Sequence, residues 1–294
     1  MSQTAIQLKN RTAHLSVISN TILVIGKLTI GLTTGTVSII SEGIHSGVDL
    51  LAAAIACLAV KKSSVPPDID HDYGHGKVEN VSAAFESLLI IMAALVIFYE
   101  AVGKLFTPQE MPQGLYWAIG VMAVSSIINA FVSQRLFRVG KKTGSEALKA
   151  DGMHLRADVW TSAAVMTGVA LMKITGWTWI DPLIACLVAC GILRVGYKMC
   201  RKSYADLTDE SLSTMEENRI GRIIMNNPGV LGFHHLRTRA VGETTVLDFH
   251  LEVDRAMPVY KAHAISDAVV LALKSQYGPC DPTIHIDPKQ TNPK

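Results

Sequence analysis

Long apolar runs fill the first two-thirds of the chain and stop near residue 200. A membrane-spanning helix needs about 20 mainly apolar residues. Six stretches qualify: Leu15 to Leu32, Val37 to Val60, Val81 to Phe106, Leu115 to Phe137, Gly152 to Ile174 and Trp179 to Tyr197. The fifth is the most polar at its start, where Asp151, His154, Arg156 and Asp158 fall within two turns, and its Val159 to Ile174 portion carries the expectation. Gly31 and Gly35 have the spacing of small residues that let two spanning helices approach closely. After Asp206 the period changes. Asp209 to Asn227 reads as a helix with Leu212, Met215, Ile220, Ile223 and Ile224 apolar, ended by Pro228-Gly229. Val230 to Val241 and Thr244 to Asp254 read as strands joined at Gly242, Val259 to Tyr277 as a second helix and Thr283 to Asp287 as a last strand. The expected fold is an all-α six-helix transmembrane bundle over residues 1–208, followed by a small α+β domain of αββαβ order over residues 209–294.

Composition agrees with a membrane protein. Hydrophobic residues make up 49% of the chain and charged ones only 18%. The net charge of +2 is too small to suggest a nucleic-acid partner. None of Cys57, Cys186, Cys190, Cys200 and Cys280 forms a C-x-x-C pair, so we expect free thiols and no disulfide framework. The polar N-terminus lacks the short apolar segment and small-residue cleavage site of a removed signal peptide. Basic residues orient the bundle. Lys9 and Arg11, then Lys61, Lys62 and Lys77, then Arg135, Arg138, Lys141, Lys142 and Lys149, then Arg194, Lys198, Arg201 and Lys202 fall at one side, against Lys104 and Lys173 at the other. Positive charge stays inside, and six crossings then put both termini in the cytoplasm.

Within this apolar context four metal-type ligands stand out. His45 and Asp49 lie four residues apart in one span, and His154 and Asp158 repeat the spacing in another. Residues i and i+4 share a helix face, so each pair points two ligands the same way. Two imidazoles and two carboxylates suit a divalent transition metal in tetrahedral geometry, zinc first. Glu42, His45 and Asp49 also form one polar stripe, which could merely bond neighbouring helices, but two independent pairs favour coordination.

Two further sets are open to either reading. Asp68, His71 and His75, in the loop after the second span, have the spacing to hold an ion or to be a solvated polar loop. In the strand from Thr244, alternation puts Val246, Asp248, His250 and Glu252 on one face and Leu247, Phe249, Leu251 and Val253 on the other. His250, His285 and Asp287 should share the polar side of the sheet, with His263 and either His234 or His235 completing a site.

These residues resemble the cation diffusion facilitator family over nearly the whole chain, and the Tyr-Gly-His-Gly-Lys segment from Tyr73 to Lys77 is a specific marker of it. The resemblance implies six spans plus a cytoplasmic metallochaperone-like (ferredoxin-like) domain that regulates and dimerises. It implies a homodimer exchanging cytosolic zinc, or a related divalent cation, for protons. It places the transported ion between His45, Asp49, His154 and Asp158, a loop ion at Asp68, His71 and His75, and a binuclear site at His234, His250, His263, His285 and Asp287. Lys77 and Asp209 take the places of a salt bridge between subunits. Two positions depart from the pattern: many bacterial members carry Asp where this chain has His45, and a near relative has Asp where it has His235. An imidazole in place of a carboxylate favours zinc over harder ions such as manganese. The short basic loop between spans four and five points to a prokaryotic inner (plasma) membrane. The expected function is therefore a transporter and not an enzyme. A membrane-embedded zinc-dependent hydrolase, with Glu42 as its base, is the main alternative. A passive cation channel and a non-transporting sensor are two others.

Overall fold

The computed structural model describes residues 3–34, 37–106, 115–177 and 179–289. These divide into two compact units, Met1–Tyr204 and Ala205–Lys294. The first unit holds α1 (Gln3–Thr34), α2 (Val37–Ser63), α3 (Val78–Phe106), α4 (Leu115–Thr143), α5 (Glu146–Thr175) and α6 (Ile180–Leu207), whose last turn runs into the second unit.

Among the described residues five helices are long and apolar enough to cross a membrane: α1, α2, α3, α4 and α6. Five of the six expected spans are among them; α5, whose first half carries Asp151, Arg156 and Asp158, is not. That helix also begins at Glu146, earlier than Gly152. Its start is set by chemistry at the helix end: Ser145 is the N-cap and accepts a hydrogen bond from the Leu148 N–H, and Glu146 places negative charge in the first turn. Gly176, at φ 75°, closes the other end by donating to the Met172 carbonyl at 2.9 Å.

Polarity in this unit is inverted. On α1 the apolar Ile18, Ile22 and Ile25 are each more than half exposed, while Ser16, Asn20 and Lys27 are buried. An outward apolar face with polar groups inside is the arrangement a hydrocarbon surrounding requires. Helices α1 and α2 meet closely because Gly31 lacks a side chain: a Cβ there would fall 2.9 Å from the Ile40 backbone nitrogen. Gly35 lies outside the described residues.

The second unit contains α7 (Thr214–Met225), β1 (Gly232–Val241), β2 (Thr244–Val253), α8 (Val259–Gln276) and β3 (Cys280–Pro288), in the order α-β-β-α-β. Strands β1 and β2 pair antiparallel, β2 and β3 pair parallel, and β2 is central. Leu247, Phe249, Leu251 and Val253 of β2 are buried with Ile220, Ile223 and Ile224 of α7 and Val269 and Leu273 of α8, so both helices cover one face. Val246, expected on the polar face, is also buried. The opposite face carries the histidines.

Candidate metal centres

In the helical unit, α2 and α5 bring their ligand pairs together. Ligand atoms of His45, Asp49 and Asp158 all lie within 4.8 Å of one another. His154 joins from α5, its Nε2 lying 3.0 Å from Asp49 Oδ1. His45 Nε2 is 4.0 Å from the same oxygen. The Asp49 and His154 side chains are only 6% exposed, whereas that of His45 is 52% exposed, so the centre is open on one side. Asp158 Oδ2 and His154 Nδ1 are buried without a hydrogen-bond partner in the protein. Two neutral imidazoles and two carboxylates match a tetrahedral divalent site and balance its charge. Glu42 is held by Lys27, whose Nζ lies 3.1 Å from Glu42 Oε2 and donates to Ser46 Oγ at 2.9 Å. A carboxylate tied to a buried ammonium is poorly placed to serve as a hydrolytic base.

The loop set also converges. Asp68 Oδ1 is 3.1 Å from His71 Nδ1, and Asp68 Oδ2 is 3.4 Å from His75 Nε2. His75 is buried, while Asp68 and His71 are exposed. The His71 backbone N–H donates to Asp68 Oδ1 at 2.9 Å, which shapes the turn so that all three side chains meet. They do so without any regular element.

Across the sheet, register builds the third centre. His234 pairs with His250 and His250 pairs with His285, one imidazole per strand in a row. Asp287 anchors the row, its Oδ2 lying 2.8 Å from His250 Nδ1 and 3.4 Å from His234 Nε2, and its Oδ1 3.2 Å from His285 Nε2. His234 and His235, between which the sequence left the choice open, both bring their rings to His250. Register shifts between His234 and Arg237, and His235 takes φ 53°, so the extra residues turn its ring back toward His250. His234, His235 and His250 thus form one group of ligand spacing, and His250, His285 and Asp287 form another. His263 lies outside both: it stands on α8 in the helix layer, its side chain 71% exposed and 3.7 Å from Asp267. Asp209, with φ 59°, has its carboxylate 3.4 Å from Arg239.

The hydrogen bond from His250, together with the charges of His285, His250 and His234, outweighs desolvation and holds the Asp287 carboxyl below its usual range. A lowered carboxyl stays ionised throughout mildly acid conditions, so the ligands there that must lose a proton to bind metal are the imidazoles. Zinc held by this centre is expected to be released on going from neutral to acid pH. Equilibrium dialysis of the intact protein and of His250→Ala should show a difference in bound zinc at the higher pH that vanishes at the lower.

Several buried charged residues were not singled out by the sequence. Glu79 accepts hydrogen bonds from Ser63 and Ser145 and lies 2.9 Å from Lys9 Nζ. Glu86 of α3 is fully buried, and neither of its carboxylate oxygens has a hydrogen-bond partner in the protein. Asp151, which marked the weak start of span five, is 2% exposed with Oδ2 equally unpartnered. The available signal was simple: acidic residues inside otherwise apolar runs are costly and tend to face a pathway.

Comparison with known proteins bears on the whole chain. Residues 13–208 match the family model described as "Cation efflux transmembrane domain". Residues 212–289 match "Cation efflux protein, cytoplasmic domain". The chain is 33% identical over 268 residues to "Cation-efflux pump FieF" of Shewanella oneidensis, covering 91% of this chain and 90% of that one. It is 32% identical over 295 residues to the protein of the same name from Citrobacter koseri, covering 100% and 97%. "Uncharacterized transporter sll1263" of Synechocystis is 35% identical over 257 residues, covering 87% and 82%. These relatives are transporters and not enzymes, which sets the hydrolase alternative aside. With both halves matched and identity spread over nearly its full length, the chain belongs to the cation diffusion facilitator, or cation efflux, family.

Proposed function

We propose that this protein exports a divalent transition-metal cation, zinc first, from the cytoplasm in exchange for protons, by alternating access at His45, Asp49, His154 and Asp158. The carrying observation is the meeting of α2 and α5 side chains, with His154 Nε2 3.0 Å from Asp49 Oδ1 inside a bundle of apolar helices. Metal requires deprotonated ligands, so loading the centre expels protons and protonation expels metal. Imidazoles that must give up a proton to bind metal, and take one up as they release it, let an inward proton gradient drive that exchange. In this reading α5 is the sixth span, its polar first half shielded from lipid by α3 and α4. Both termini face the cytoplasm of an inner-membrane protein. Two copies form a homodimer, with the sheet centre and His263 sensing metal and the Lys77 and Asp209 pair of the resemblance linking subunits.

Purified protein in liposomes, given zinc and a set of other divalent metals with internal pH recorded at once, tests the exchange. Zinc flux should rise steeply with the proton gradient. Flux that is indifferent to collapse of the gradient would favour a passive channel and end the antiport reading.

A further inference from the structure

Buried polar residues in three helices fall on single faces. On α1, Lys9, Ser16, Asn20 and Lys27 recur at intervals of seven, four and seven residues, and all are buried. On α3, Glu79, Ser82 and Glu86 recur at three and four, and all are buried. On α5, Asp151, His154 and Asp158 do the same. Spacings of three, four and seven return to one helix face. Helix α5 packs against both α1 and α3, so the three stripes line one seam. At one end is the Lys9–Glu79 ion pair, beside the α5 N-cap. At the other is the four-ligand centre.

Between those ends lie polar groups with no hydrogen-bond partner in the protein: Asn20 Nδ2, Ser82 Oγ, both Glu86 oxygens and Asp151 Oδ2. Glu86 interacts electrostatically with Asp151 and His154 across the α3 and α5 interface. A fully buried, unpartnered carboxyl is destabilising by itself, so its presence in an apolar helix calls for a ligand. Two carboxylates balance a divalent cation. Oxygen donors hold a transition metal less tightly than imidazole does, which suits a place an ion must leave.

We propose that Glu86 and Asp151 form a second cation subsite, midway along the seam between the Lys9–Glu79 pair and the four-ligand centre, through which the divalent metal passes to or from Asp49 and His154. The subsite rests on the transport reading above. It is distinct from that centre, whose carboxylates are Asp49 on α2 and Asp158 on α5, the latter two helical turns beyond Asp151.

The test uses the full-length protein in zinc-loaded proteoliposome assays, with unfolding temperature measured in zinc-free detergent. Glu86→Met should raise the unfolding temperature, since an apolar side chain replaces an unpartnered acid, yet lower the initial zinc flux by about tenfold or more. Glu86→Gln should lose flux similarly, and Glu86→Asp should retain most of it. Wild-type flux in Glu86→Met would overturn the subsite. So would a fall in both flux and unfolding temperature, which would mark Glu86 as a structural tie. The Asp49→Ala protein separates the two ideas: flux lost there but kept in Glu86→Met ends this inference alone. Absence of zinc flux in the wild type would end the transport reading and the subsite together.

Discussion

Protein carrying Asp49→Ala is expected to lose zinc-driven proton flux by at least about 100-fold, the upper range for disturbing even the supporting shell of a metal ligand. Asp49 is placed to do two things. Its carboxylate is one of the four proposed ligands, and its Oδ1 also lies 3.0 Å from His154 Nε2 and 4.0 Å from His45 Nε2. Removing it leaves one carboxylate to balance a divalent ion and takes away the group that orients the His154 ring. Asp49→Asn keeps size and hydrogen bonding but not charge, and should be nearly as inactive. Asp158→Ala should match it, since Asp158 lies within the same 4.8 Å group. The measurement is internal pH in proteoliposomes after addition of zinc. Undiminished exchange in both alanine proteins would defeat the mechanism.

Lys9→Met should destabilise the helical unit by about 3–5 kcal/mol, the usual consequence of leaving one member of a buried ion pair alone. The Lys9 and Glu79 side chains are 3% and 6% exposed, with Nζ and Oε1 2.9 Å apart. Glu79 also accepts from Ser63 Oγ at 2.6 Å, and from Ser145, the N-cap of α5. One carboxylate therefore ties α1, α2, α3 and the start of α5. With Lys9 gone it keeps two hydroxyl donors but no cation. The double substitution Lys9→Met, Glu79→Met removes both charges and should recover most of the loss, because well-packed apolar residues often replace a buried pair without penalty. Thermal unfolding in detergent reads both. A single variant as stable as the wild type would mean that water screens the pair.

The candidate centres differ in how legible they were. His45 with Asp49, and His154 with Asp158, were visible as helical repeats in apolar runs, because i and i+4 neighbours meet within one element. His250, His285 and Asp287 were visible from strand alternation. His234 and His235 were not separable, because the bulge that brings both rings to His250 depends on the pairing of β1 with β2 and on a positive φ at His235. His263 does not join the sheet histidines within one chain: it stands on α8, whose helix layer covers the other face, a matter of layer order that spacing does not carry. Glu86 lay unremarked between Glu79 and the end of α3, since only packing against α5 reveals that no protein group meets it.

Local pattern alone determined the long apolar helices, the αββαβ order of the second unit and the chemical identity of the candidate ligands. Hydrophobic period, turn residues and helical spacing act over a few positions and are written in the chain directly. Tertiary structure alone decided that α2 and α5 face each other, joining Asp49 to a histidine 105 positions away. It also decided that α5 begins at Ser145 and Glu146, and that buried acids line its seam with α3. Such contacts depend on which helix faces are apposed, and no periodicity within a single helix states which neighbour its polar side will meet.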